Sequence, residues 1–97
     1  MKIERELDGA RLVLKVEGRL DTNTSPDLEA ELKLDGVKEL VFDFAELEYI
    51  SSAGLRVLMI AQKAMMAAGG SMSVSSPNAG VKNVFDITGL SSVFTIM

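Results

Sequence analysis

Two adjacent serines, Ser51 and Ser52, sit where an apolar stretch gives way to the longest helical pattern in the chain. The run is Leu47-Glu48-Tyr49-Ile50-Ser51-Ser52-Ala53-Gly54-Leu55-Arg56. A serine at a helix start can do two things. Its oxygen can accept one of the N–H groups that a first turn leaves without a partner. Its hydroxyl can also accept a phosphoryl group, which adds a charge of about −1.5 to −2. Capping alone is the ordinary reading, but capping needs only one serine. Gly54 adds a second clue, because glycine weakens a helix by ~1 kcal/mol relative to alanine. Its place in the first turn points to close approach by another group, or to tight packing of the helix on the preceding strand.

Other chemistries find little support. The 97 residues contain no histidine and no cysteine. That excludes Ser-His-Asp and Cys-His nucleophiles, an H-E-x-x-H zinc site, thiolate metal sites, disulfides and an imidazole pH switch. Neither G-x-x-x-x-G-K-[ST] nor G-x-G-x-x-G is present. Asp21, Asp43 and Asp86 could pair for acid–base work, but nothing in their spacing brings them together. The chain reads as a binding protein and not an enzyme, with no cofactor and no metal.

The helix after Ser52 has two unlike sides. At 100° per residue with Ser52 as zero, Val57, Leu58, Ala61, Ala64, Met65 and Ala68 gather on one side as the expected core face. Ser52, Arg56, Met59, Lys63 and Met66 fall within about 40° of zero on the opposite side. A solvated face usually carries Glu, Lys or Gln. Two methionines there suggest an adaptable contact surface. Phosphate on Ser52 would be tolerated by the helix start, so the fold should survive it. A partner fitted to the neutral hydroxyl would have to desolvate or repel the phosphate. An effect of ~3 kcal/mol weakens binding about a hundredfold.

The elements that must position this segment read as β-β-α-β-α-β-α-β. Leu12, Leu14 and Val16 alternate after Asp8-Gly9, which predicts an opening hairpin. Ser25-Pro26 predicts a helix N-cap with proline in the first position, and a helix to about Leu34 before Asp35-Gly36. Leu40-Val41-Phe42-Asp43-Phe44 reads as a central strand buried on both faces. The long helix runs to about Ala68 and stops at Gly69-Gly70. A strand follows at 71–75, a helix at 78–87 and a last strand at 93–97. The expected architecture is one α/β domain over residues 1–97, with a mixed sheet of four to five strands and helices packed on it.

Composition sets further bounds. Hydrophobic residues make up 47% and charged residues 25%, enough for a core in a single small domain. The net charge is −4 and the basic residues are scattered, so direct nucleic-acid binding is not expected. No run approaches the ~18–20 apolar residues of a membrane span, and the amino terminus lacks a signal-peptide core. Asn23-Thr24-Ser25 fits the glycosylation pattern only by chance under that reading. A cytoplasmic protein without membrane insertion, monomeric when free, is expected.

Four ordered motifs make the sequence resemble the STAS family, and within it the bacterial anti-sigma factor antagonists. They are Gly18-Arg19-Leu20-Asp21 with Thr24-Ser25, the strand end Val41-Phe42-Asp43, the loop Ser51-Ser52-Ala53-Gly54-Leu55-Arg56, and Phe85-Asp86-Ile87-Thr88-Gly89-Leu90. The resemblance implies a STAS-like fold and phosphorylation at Ser52, with Ser51 as the lesser candidate. It implies two partners: a serine-kinase anti-sigma factor that binds the unmodified form and so releases a sigma factor, and a metal-dependent serine phosphatase that resets the switch. Many such loops carry Asp where this chain has Ser51, and Ser51 can cap in its place. The expected partner-binding residues around the loop are Asp21, Thr22, Asp43, Ser51, Ala53 and Gly54. Arg56, Met59, Lys63 and Met66 extend the surface along the helix. Thr24, Ser25 and Thr88 read chiefly as caps and turn residues. The alternative is an unphosphorylated scaffold subunit of a membrane-associated lipid-transport or signalling complex.

Overall fold

The computed structural model describes residues 1–97. The opening hairpin joins β1 (Lys2–Asp8) to β2 (Arg11–Leu20) in antiparallel register, from Lys2 opposite Glu17 to Asp8 opposite Arg11. Gly9 takes φ +60 in the two-residue turn, which is the conformation a tight hairpin requires. β2 is long enough to serve two neighbours. Its first half pairs in parallel with β3 (Glu39–Asp43), and its last three residues pair in parallel with β4 (Leu47–Ile50). The register shifts between Gly18 and Arg19, where Gly18 has φ +97 and donates its N–H to the Glu46 carbonyl at 3.0 Å. Beyond β3, the parallel strands β5 (Ser71–Ser75) and β6 (Thr95–Ile96) complete the sheet in the order β1-β2-β3-β5-β6.

The sheet therefore has six strands and not four or five. The added one, β4, is four residues whose burial runs buried-exposed-exposed-buried. Such a pattern lacks the two-residue alternation by which a strand is recognised. Its pairing to β2 is a tertiary fact.

Three helices pack on the sheet: α1 (Ser25–Ala30), α2 (Ser52–Ala67) and α3 (Ala79–Ile87), followed by a 3-10 turn at Leu90–Ser92. α1 is shorter than expected, and its N-cap is Thr24, so Ser25 and Pro26 are already helical. Two cations donate to carbonyls at or just beyond helix ends. Arg5 donates to the carbonyls of Glu31 at 2.7 Å and Lys33 at 2.8 Å beyond α1, and Lys38 Nζ donates to the Ala68 carbonyl at 2.6 Å beyond α2. No helix is long and apolar enough to cross a membrane.

One core of 22 buried residues joins sheet and helices. Leu12, Leu14 and Val16 from β2, Leu40 and Phe42 from β3, and Met72 and Val74 from β5 supply its floor. Alternation sends Val13, Lys15, Val41, Asp43, Ser73 and Ser75 to the other face of those strands. β3 is thus a central strand buried on both faces, as its apolar run predicts, with Leu40 and Phe42 in the core and Val41 buried on the opposite face. Val41 is buried outside the core cluster, in register between Val13 and Ser73.

α2 presents Val57, Leu58, Ala61 and Met65 to the core, as the wheel predicts. Ala64 and Ala68 are exposed instead. Ala64 lies at the margin of the buried arc, and Ala68 is already the C-cap. Leu55, at the other margin, and Gly54, within the arc, are buried as well.

Candidate functional site

The two serines divide the tasks. Ser51 is the N-cap of α2, in extended conformation, and its Oγ accepts the Gly54 N–H at 3.4 Å. Ser52 is the first helical residue and is exposed. Its hydroxyl is not needed for capping. The Ser51 N–H donates to the Leu20 carbonyl at 2.9 Å, which fixes the helix start against the end of β2.

Gly54 resolves the packing question. A Cβ there would lie 2.8 Å from both Ile50 Cγ1 and Leu20 Cγ, and both neighbours are buried. The glycine lets α2 rest directly on β2 and β4, and it does not face outward. Gly54→Ala gains ~1 kcal/mol of helix propensity but overpacks this contact by ~1–3 kcal/mol. A net loss of up to about 2 kcal/mol in urea unfolding is expected. A variant more stable than the parent would refute the packing role.

Beside this junction lies the turn after β2. Asp21 Oδ1 accepts the N–H groups of Asn23 at 3.0 Å and Thr24 at 3.1 Å, and the Asp21 N–H donates to Thr24 Oγ1 at 2.9 Å. The Thr24 N–H is the main influence holding the Asp21 carboxyl below the usual carboxylate range, helped by the Asn23 N–H and Arg19 and opposed by desolvation. Arg19 also lies over the Tyr49 ring at 4.3 Å, tying this turn to β4.

A carboxylate with a depressed folded pKa stabilises above its unfolded pKa, near 4, and loses that contribution as pH falls through the folded value. Protection of the Asn23 and Thr24 amides from hydrogen exchange should therefore fall as the pH is lowered below about 4. In Asp21→Asn, which keeps a neutral acceptor, protection should stay flat across that window. A parallel fall in both proteins would remove Asp21 as the cause.

The exposed Ser52 stands on the rim of a hollow of about 330 Å³ lined by Ser52, Leu55, Arg56, Met59, Thr88 and Leu90. Leu55 and Leu90 are 7% and 8% exposed and form its apolar floor. The far wall comes from the end of α3 and the 3-10 turn. Thr88 caps α3 by donating to the Val84 carbonyl at 2.7 Å, and Gly89 at φ +77 turns the chain so that Leu90 points inward. Phe94 meets Phe85 edge-on, with ring centroids 5.7 Å apart, and holds this turn to the core.

Several expected residues come together here and others do not. Ser52, Arg56 and Met59 line the hollow. Lys63 and Met66 continue the same exposed stripe along α2, with Met59 and Met66 at 41% and 68% exposure. Thr22 is exposed in the Asp21 turn, and Ala53 is half-buried. Asp43 lies apart. Its carboxylate accepts the Ala45 N–H at 3.0 Å, and it lines a separate hollow of about 220 Å³ with Lys15, Glu17 and Glu46. Leu55, Thr88 and Leu90 were not expected as lining residues. The Thr-Gly-Leu signature was visible, but that it folds over against the start of α2 was not. No group of three or more His, Cys, Asp or Glu side chains converges as metal ligands.

Comparison with known proteins adds a family and a fold. The model of one family, described as the STAS domain, matches residues 2–97. The chain is 31% identical over 99 residues to BtrV of Bordetella bronchiseptica, covering 99% of this chain and 85% of that protein. It is 30% identical over 95 residues to the anti-sigma-B factor antagonist of Listeria monocytogenes, covering 95% and 83%. In structure it is similar to the anti-sigma factor antagonist SpoIIAA in its unphosphorylated form, at 19% identity and TM-score 0.87, over 99% of this chain and 88% of that one. The phosphorylated form of the Bacillus SpoIIAA gives 18% identity and TM-score 0.79, over 99% and 91%. At such identity these two comparisons speak for the fold.

Proposed function

Because this chain belongs to the STAS domain family, alongside curated relatives that are anti-sigma factor antagonists, we propose that it is itself a phosphate-switched antagonist that binds a serine-kinase anti-sigma factor. In the unmodified state it occupies that partner and releases a sigma factor. Phosphorylation of Ser52 ends the interaction, and a metal-dependent serine phosphatase restores it.

One observation carries the reading: the Ser52 hydroxyl is exposed on the rim of an apolar-floored hollow and is free of the capping role, which Ser51 fills. The partner would seat an apolar side chain against Leu55 and Leu90, with Met59 adapting to its shape. In the transfer step the Ser52 oxygen bonds to the γ-phosphorus of ATP. The bond to the bridging oxygen breaks, ADP leaves, and the hydroxyl proton passes to a base of the kinase. The modified surface carries a dianion at the edge of an apolar contact, where desolvation disfavours rebinding. SpoIIAA, which shares the fold, has been described in both unphosphorylated and phosphorylated forms, and that supports the same two states here.

The test uses the co-occurring kinase with ATP, followed by mass spectrometry of the loop. Phosphate on Ser52 is expected, and transfer to neither Ser52 nor Ser51 would count against the reading. Recovery of an unmodified chain from cells in a membrane transporter complex would favour the scaffold alternative.

A further inference from the structure

We propose that Arg56 is the intramolecular partner of a phosphate on Ser52, leaving Glu29 on modification and closing over the hollow. This inference rests on the proposed phosphorylation and adds what the chain's own residues do with the phosphate.

Ser52 and Arg56 are four residues apart on α2 and line the same hollow. At that spacing their Cβ atoms are about 5–6 Å apart. Helical side chains lean toward the amino end, so the longer residue at the later position reaches back over the earlier one. Arg56 is held only loosely now. Its Nη1 is 4.0 Å from Glu29 Oε1 of α1, with the two side chains 72% and 45% exposed. A pair so long and so solvated contributes little and leaves the guanidinium free to move.

A phosphoserine at residue 52 is a stronger competitor than Glu29. It carries about twice the charge of a carboxylate and offers three acceptor oxygens, which a guanidinium can take two at a time. The next cation on this stripe, Lys63, is eleven residues beyond Ser52 along α2, about 16 Å from it along the axis. Arg56 is therefore the cation of the stripe within reach. Pairing would draw the guanidinium across the mouth of the hollow, above Leu55 and Leu90. A partner would then meet a paired ion over the apolar floor, and the tie from α2 to α1 through Glu29 would be released.

The experiment places phosphoserine at residue 52 during translation, without any kinase, and mass spectrometry confirms the product. The phosphate is then titrated by 31P NMR in the parent, in Arg56→Gln and in Lys63→Gln. Both substitutions are at exposed positions and should leave the fold intact, which circular dichroism verifies. An unpaired phosphoserine has its second pKa at about 6. In the parent the value should lie below that of Arg56→Gln by roughly half a unit or more. Lys63→Gln should titrate like the parent. Equal values in the parent and Arg56→Gln would overturn the pairing, as would an equal rise in both variants, which would mean a diffuse field. What the helix backbone contributes is common to all three proteins. Failure of a kinase to modify Ser52 would count against the proposed function and leave this measurement standing.

Discussion

Phosphoserine at residue 52 is expected to weaken binding to the kinase partner about a hundredfold, equivalent to ~3 kcal/mol, while the fold stays as it is. Ser52→Asp brings a smaller charge and should lose at least about tenfold. Ser52→Ala should stay within a few fold of the parent, because the capping oxygen belongs to Ser51. Thermal unfolding of both variants should move by no more than about 3 °C, as for surface substitutions in a domain of this size. The carboxylate that Ser52→Asp introduces would sit in the first turn of α2, where a negative charge suits the helix dipole. Surface plasmon resonance against the immobilised kinase, with melting curves on the same samples, decides the matter. Loss of binding in Ser52→Ala equal to that in Ser52→Asp would mean that the hydroxyl, and not the charge, is what the partner reads.

The separation of binding from stability follows from how the first turn is built. Ser51 faces inward to the Gly54 N–H, Gly54 lies against Leu20 and Ile50, and Leu55 closes the floor. Ser52 and Arg56 take no part in that packing and remain exposed. Charge can be added at residue 52 without disturbing a buried contact.

The local signals in the sequence were reliable where one element decided the outcome. Asp8-Gly9 set the hairpin, and the 3.6-residue pattern of Val57, Leu58, Ala61 and Met65 set the core face of α2. They failed where a partner element decided it. β4 exists because β2 runs on past β3 and offers Gly18 to Leu20 for pairing, a long-range match that no four-residue window contains. Leu32 and Leu34 kept a helical look but lie beyond Ala30, where Arg5 takes up the Glu31 and Lys33 carbonyls. The apolar run at β3, by contrast, read correctly as buried on both faces: Leu40 and Phe42 lie in the core, and Val41 is buried on the other side. At the site, one wall was legible as the outward stripe of α2. The other, Thr88 and Leu90, is brought there by tertiary packing, the contact of Phe85 with Phe94 included.

Asn78 is the residue on which that second wall depends, and Asn78→Ala is expected to lower stability by about 2–3 kcal/mol. The side chain makes two kinds of bond at once. Its Oδ1 accepts the Val81 N–H at 2.8 Å as the N-cap of α3, and its Nδ2 donates to the Leu47 carbonyl at 3.0 Å on β4. Loss of an N-cap costs about 1 kcal/mol, and loss of the donor to a part-buried carbonyl adds about 1 kcal/mol or more. For a domain of this size the melting temperature should fall by roughly 10–20 °C. Asn78→Ser keeps a capping oxygen but is too short to reach β4, so it should show about half the loss. A change below about 0.5 kcal/mol in Asn78→Ala would refute the anchoring role. The functional consequence is separable from the global one. α3 leads directly into Thr88 and the turn at Leu90–Ser92, so releasing its start from β4 loosens the wall that faces Ser52. Faster amide exchange at Leu90–Ser92 in Asn78→Ser, below its unfolding transition, is the expected mark of that coupling. Unchanged exchange there would mean that Phe85 and Phe94 hold the wall without help from the cap.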